Sequence, residues 1–289
     1  MKDATLLNIA KRIQPLLSPA SVTRMPWEEG NGYYSAWKIT DGQGTYLLKA
    51  ASPNELAIYR RLNNLSDALP RFYGTATYYK KDYILLEFIA GHNLMCCTRQ
   101  DLVRVLDAMI ALQDAYWGTS KEIGESAAAV LQSCQKRLAF LPEIDWQAVF
   151  DQFLDAYLTL PRTLCHNDLL PFNVIVSDAR TVFIDWETGG ILPYPCMLVR
   201  LLAHGSEQGE TPFYITKADK AFAIQYYYSH LIQGKGISRA AYRQALELFW
   251  FFELTEWIYV YRKYRRPPDA LYDHYFHQLQ AGLPTRSFF

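Results

Sequence analysis

The stretch that decides the fold is TLCHNDLLPFNVIVSDARTVFIDWE, Thr163 to Glu187. It sets His166, Asp168 and Asn173 in the spacing H-x-D-x-x-x-x-N and places a second acid, Asp185, after the apolar run Val182, Phe183 and Ile184. Phosphoryl transfer calls for such a set. One carboxylate must face the acceptor hydroxyl, while another carboxylate and an amide oxygen hold a magnesium ion, which prefers hard oxygen ligands. Asp168 takes the first role in this reading, and Asn173 with Asp185 takes the second. Val174 to Val176 and Val182 to Ile184 read as two strands of a hairpin turning at Ser177 to Arg180, which brings Asp185 opposite Asn173. His166, counted with Asp168 among the catalytic candidates, is expected to brace the loop backbone. Any one of these residues alone would be an ordinary turn former or a packed histidine. The combination in order is what carries the reading.

TLCHNDLLPFNVIV followed by VFIDWE resembles the aminoglycoside phosphotransferase and choline kinase superfamily, over about 25 residues. The Cys-His-Asn-Asp-Leu wording and the Asp-Trp-Glu ending are closer to choline and ethanolamine kinases than to protein kinases, which carry Arg after the His and Phe-Gly after the metal Asp. The resemblance implies an α+β, two-lobed protein-kinase-like fold, with an antiparallel-sheet lobe over residues 1–90 and a mainly helical lobe over 91–289. It also implies ATP and Mg2+ as cofactors. One departure stands out: members commonly place an Asp at the opening of the helix after Asp-Trp-Glu, and ILPYPCMLVRLLAH supplies none between Glu187 and Glu207.

At 289 residues the chain is long enough for a sizeable core, and half of it is apolar. The 29 basic residues balance 29 acidic ones, which gives no support to a nucleic-acid partner. The five cysteines lack metal-ligand spacing and read as reduced thiols of a cytoplasmic protein. No apolar run approaches the length of a membrane span. The opening MKDATLLNIAKRIQPLL mixes charge with apolar residues at helical spacing, so a helix over residues 3–17 is expected rather than a signal peptide.

Strands follow. Val22 to Trp27 and Tyr33 to Thr40 enclose EEGNG, and Thr45 to Ala50 carries Lys49 near its end. Two strands around a small-residue loop, then a strand with a Lys, is the arrangement that covers and grips ATP phosphates. Gly30, Asn31 and Gly32 would equally make a plain hairpin turn; Ser35 is a further candidate phosphate contact. Glu55 either orients Lys49 or only caps its own helix, since Ser52-Pro53-Asn54-Glu55 is a capping box. Phe72 to Tyr79 and Tyr83 to Ile89 read as two more strands across a turn at Lys80 to Asp82. The resemblance puts the adenine contact where the chain then changes lobes, at Glu87, Phe88 and Ile89.

Helical spacing returns with Leu102, Val105, Leu106, Met109 and Ile110, and further helices are expected near Ser126 to Phe140, Asp145 to Leu158 and across most of 194–281. In LELFWFFELTEWIYVYRKY, the residues Leu246, Trp250, Glu253 and Trp257 share one helix face. A carboxylate between two tryptophans suits a cationic amine. The same spacing also fits a buried helix with Glu253 paired to an arginine such as Arg200. The expected activity is phosphorylation of a hydroxyl on a small, amine-bearing molecule, choline- or aminoglycoside-like. The alternative is a non-catalytic nucleotide-binding or scaffold protein that keeps the fold.

Overall fold

The computed structural model describes residues 2–26, 32–62, 65–120, 123, 126–207, 209, 211 and 213–289. Residues 28–31 of the EEGNG loop, Gly30 and Asn31 among them, lie outside the described residues. Among the described residues the amino-terminal part is a five-stranded antiparallel sheet, with strands β1 (Pro19–Pro26), β2 (Tyr33–Asp41), β3 (Thr45–Ala51), β4 (Phe72–Tyr78) and β5 (Lys81–Glu87) in the order β1-β2-β3-β5-β4. Helix α1 (Asp3–Ile13) packs its buried Leu6, Ile9 and Ala10 on one face of this sheet, against Trp37, Ile39, Leu48, Tyr83 and Leu85. It ends earlier than the expected residue 17 because Gln14, which precedes Pro15, is extended. The β4–β5 turn also sits one residue earlier than expected. Tyr79 and Lys80 both take positive φ, and Tyr78 stands opposite Lys81, as in a two-residue hairpin turn.

Helix α2 (Pro53–Leu62) crosses to the other part of the molecule, where its Ile58, Tyr59 and Leu62 join the main core. Beyond β5 the chain is largely helical. Helices α3 (Arg99–Ala115), α4 (Ala127–Leu138) and α5 (Ile144–Thr159) lead to the decisive stretch, and α6 (Pro195–Ala203), α7 (Lys217–Tyr227), α8 (Arg239–Lys263) and α9 (Ala270–Gly282) follow it. Of the apolar positions expected of α3, Leu102, Val105, Leu106 and Met109 are buried and Ile110 is part-buried against the same core, and Thr98 caps the helix through Asp101 N–H.

Within the helical part, β6 (Arg162–Cys165) pairs antiparallel with β9 (Gly190–Pro193), and β7 (Val174–Val176) pairs with β8 (Thr181–Phe183). The expected hairpin and its turn are present, with Ser177 and Arg180 joined by a backbone bond of 3.0 Å. The β6–β9 pairing was not evident from the sequence. Gly91 makes the crossing between the two parts possible: a Cβ there would lie 2.4 Å from the Val176 carbonyl oxygen, and the next residue, His92, bridges to Val176.

Candidate active site

The β7–β8 hairpin and the loops on either side of it hold the site. His166 is fully buried and ties both loops together: its Nε2 donates to the Ile184 carbonyl at 2.7 Å, and its Nδ1 accepts from Asp168 N–H at 3.2 Å. Burial lowers the imidazole pKa below its ordinary value, more than the Ile184 carbonyl and the carboxylates of Asp168 and Asp185 raise it. A neutral ring with its proton on Nε2 satisfies both bonds. Its place is therefore that of a brace.

Asn173 sits in a short 3-10 turn and donates from Nδ2 to the Asp168 carbonyl at 2.7 Å. That bond engages the amide nitrogen, and the side-chain oxygen is the atom of the group with the chemistry to ligate a cation. Ile184 N–H bonds the Asn173 carbonyl at 2.9 Å, which fixes the strand end from which Asp185 emerges. Asp185 itself has φ 65° and ψ 59°, a left-handed conformation that short polar side chains tolerate best.

Asp185 Oδ1 and Glu55 Oε1 both lie 2.8 Å from Lys49 Nζ. Burial works against the Lys49 charge, but the two carboxylates outweigh it and hold the ammonium above its usual range. For Asp185, burial pushes the carboxyl up, yet Lys49 and His166 hold it below the usual carboxylate range. Glu55 meets one cation and two further acids, Asp185 and Glu187, and burial raises it. Ser52 Oγ caps the helix by accepting from Glu55 N–H at 3.2 Å, while the Glu55 carboxylate is turned to Lys49. Of the two roles read from the sequence for the Glu55 side chain, the structure shows the pairing with Lys49. Asn54, not singled out in the sequence, adds a second link between α2 and the metal-side loop by donating to the carbonyls of Glu187 (2.7 Å) and Gly189 (3.1 Å).

The donor set at Asn173 and Asp185 is one amide oxygen and one carboxylate on facing strand ends, which fits magnesium. A second group of potential ligands, His204, Glu253 and Glu256, has its ligand atoms within 4.8 Å of one another. Arg200 Nη1 already bonds all three, so a guanidinium supplies the cation there.

Arg200, read from the sequence only as a partner of Glu253, also engages Asp168. On α6, it donates from Nε and Nη2 to Asp168 Oδ1, at 3.1 and 2.7 Å, while Nη1 reaches Glu253 Oε2 at 2.8 Å and also bonds Glu256. Burial disfavours its charge, but Glu253, Glu256 and Asp168 more than offset this and keep it protonated. A single charge in PCMLVRLLA signals a buried partner, though not which one. α6 opens on Pro195 without an acid. The preceding Tyr194 carbonyl is held instead by Gln113 Nε2 at 3.2 Å and Tyr227 Oη at 3.3 Å.

Glu253, Trp250 and Trp257 are not brought together as an amine box. Arg200 and His204 engage Glu253, as the second reading of that helix anticipated. Trp250 is 0% exposed and packs at 5.0 Å on Phe289, and Trp257 stacks on Tyr275 at 6.1 Å. Helical periodicity gave the angle on the helix and not the neighbours that cover it. Beside Asp168 lies a different cavity, of about 300 Å³, whose walls include Phe153, Tyr157, Phe249 and Phe252, with Arg137 and Glu256 at its edge.

On the other side of the site, Ser35 is exposed on β2 next to Ala36, which stands opposite Lys49 in register. At the end of β5, Glu87 is salt-bridged to Arg180 and accepts from Arg71 N–H at 3.1 Å. The amides of Glu87 and Phe88 bond the carbonyls of Arg71 and Thr45, and Lys38 lies 4.5 Å over the Phe88 ring. The strand ends at Glu87, two residues short of the expected Ile89, so Phe88 and Ile89 lie just beyond the sheet.

Residues 30–227 match the model of a phosphotransferase enzyme family (APH). Among curated proteins, Protein LicA of Haemophilus influenzae is 46% identical over 44 residues, a match that spans 15% of this chain and 13% of that protein. An aminoglycoside phosphotransferase from Alicyclobacillus acidocaldarius shares the fold with a TM-score of 0.65, at 15% identity over 97% of this chain and 94% of that one. A choline/ethanolamine kinase family protein from Mesorhizobium loti does so with a TM-score of 0.61, at 15% identity over 96% and 93% of the two chains.

Proposed function

This chain belongs to the phosphotransferase enzyme family (APH); we propose that it is a small-molecule phosphotransferase that transfers the γ-phosphoryl group of ATP, with magnesium, to a hydroxyl of a small amine-bearing molecule. In this reading residues 1–90 form the nucleotide lobe and 91–289 the catalytic and acceptor lobe. The observation that carries it is the joining of Lys49 to both Glu55 and Asp185, on the same side as the braced Asp168 and Asn173 loop.

Lys49, steadied by Glu55, binds the ATP phosphates, and the backbone around Glu87 to Ile89 receives the adenine edge. Asn173 and Asp185 hold magnesium, which when bound neutralises charge on the phosphate oxygens. Arg200 fixes one oxygen of Asp168, so that Oδ2 faces the acceptor hydroxyl and takes its proton as the oxygen is directed at phosphorus. His166 keeps Asp168 and the Ile184 carbonyl in register and does not exchange a proton.

The acceptor is placed in the cavity beside Asp168. Its lining carries three carboxylates, Asp168, Glu253 and Glu256, against two guanidinium groups, Arg137 and Arg200, which leaves one net negative charge among aromatic walls. Glu256 is only part-buried, and with Phe249, Phe252 and Tyr157 it supplies the carboxylate-and-ring setting that suits an ammonium group. Glu253 lines the same cavity but is more deeply held by Arg200 and His204, so the more exposed Glu256 is the acid offered to the amine in this reading. No helix among the described residues is long and apolar enough to cross a membrane. The five free cysteines support a reducing, cytoplasmic setting.

The test is ATP consumption by the purified protein with magnesium across choline, ethanolamine, aminoglycosides and simple sugars. Turnover confined to amine-bearing compounds is the expected result. Turnover with neutral sugars alone would overturn the acceptor class, and absence of magnesium-dependent ATP binding would favour the scaffold alternative.

A further inference from the structure

A second cavity, of about 500 Å³, opens between α7, α8 and the segment ending at Phe289, away from the catalytic loops. Its lining holds four cationic side chains, Lys217, Lys220, Arg239 and Arg243, and no aspartate or glutamate. The contrast with the acidic acceptor cavity is sharp in sign.

Three of the cations are set against rings. Lys220 Nζ lies 5.4 Å over Trp250, the Arg239 guanidinium 4.8 Å over Tyr228, and that of Arg243 5.6 Å over Phe289. Arg239 donates to Gln225 Oε1 at 2.5 Å, and Arg243 lies 3.6 Å from the buried carboxylate of Glu247, one helical turn on. Trp250 supplies an independent observation. It lines the cavity, is 0% exposed, and its indole N–H has no acceptor. Among the described residues it is one of eight such buried polar atoms and the one of them that lines this cavity, where a bound ligand is one source of its acceptor.

We infer that this cavity is a binding site for a phosphomonoester of a planar aromatic group. The phosphate brings the double negative charge and acceptor oxygens that four cations and an unpaired indole N–H require, and the guanidinium forks suit its geometry. The ring fits among Tyr228, Trp250 and Phe289, in a space of the size small-molecule sites occupy. Lys220 agrees with this: burial pulls its ammonium down to about 8, more than Glu207 raises it, and Lys217 adds to the fall, so an anion would restore the full charge.

The probe is phenyl phosphate, titrated calorimetrically into the full chain with the nucleotide cleft saturated by AMP-PNP and magnesium. Phenol and inorganic phosphate serve as the two halves. One site is expected, with phenyl phosphate binding at least about tenfold more tightly than either half, and with Lys220→Met and Arg243→Gln each weakening it about tenfold or more. Arg243 is exposed, so its replacement leaves the fold intact, and both variants should keep wild-type kinase turnover. Binding unaffected by both substitutions, inorganic phosphate equalling phenyl phosphate, or no binding into the millimolar range would each overturn the assignment.

Discussion

Arg200 donates from Nε and Nη2 to the same oxygen of Asp168, and from Nη1 to Glu253 and Glu256. One buried guanidinium therefore sets the orientation of the proposed base and offsets the acids behind it. Replacing it with Met leaves those carboxylates facing one another. We expect a loss of about 3–5 kcal/mol, the range for breaking a buried pair from one side. Arg200→Lys should keep more of the stability but lower kcat, because a single ammonium cannot reproduce the fork on Asp168. Urea midpoints and kcat measured side by side separate the two effects; wild-type stability in Arg200→Met would contradict the network.

The acceptor subsite gives a different signature. Glu256→Gln should raise KM for an amine-bearing acceptor about tenfold or more while leaving KM for ATP unchanged, since Glu256 lines the acceptor cavity and bonds none of the residues proposed to hold the nucleotide. Steady-state kinetics with each substrate varied in turn provide the measurement. A rise in KM for ATP instead would place Glu256 outside the acceptor subsite.

Low pH should expose the buried acid of the same network. Burial alone would raise the Glu253 carboxyl, but Arg200 and His204 hold it down to about 2. A depressed carboxyl contributes stability above its unfolded value, near 4.5, and loses it as pH falls through the folded one. Stability should therefore drop between about pH 4.5 and 2, by on the order of 3 kcal/mol from this group. Glu253→Gln, weaker at neutral pH, should show a shallower acid limb in denaturation midpoints; an unchanged limb would refute the linkage.

Gly91→Ala tests the crossing between the two parts. Its Cβ would lie 2.4 Å from the Val176 carbonyl and 2.8 Å from an Ile175 methyl, so the hairpin carrying Asn173 and Asp185 must shift. A loss of about 1–3 kcal/mol is expected, as for overpacking elsewhere, with kcat reduced at saturating ATP. Thermal denaturation and turnover read both.

The parts of the fold legible in sequence were those written locally. Val174 to Val176 and Val182 to Phe183 announce a hairpin, and its two ends carry Asn173 and Asp185. Lys49 and Glu55 sit six residues apart, and their pairing follows once a strand runs into a helix. Arg200 and Asp168 are 32 residues apart, and nothing in an apolar helix states which acid its one charge meets. The β6–β9 pairing was hidden for a related reason: RTLC and GILP are too short to show a period, and their partners are set by the loops between them. Trp250 and Trp257 show the limit of periodicity, because a helix face that reads as a binding stripe is equally a packing face until its neighbours are known.

The central claim is that Asp168 receives the acceptor proton in a metal-assisted transfer, and Asp168→Asn tests it with little change in shape. The measurement is magnesium-dependent phosphate transfer to the best acceptor, beside ATP affinity of the same protein. The account predicts a fall in kcat of about 10²–10⁴-fold, with ATP affinity within about threefold of wild type because nucleotide capture does not use this carboxylate. Transfer at the wild-type rate would contradict it.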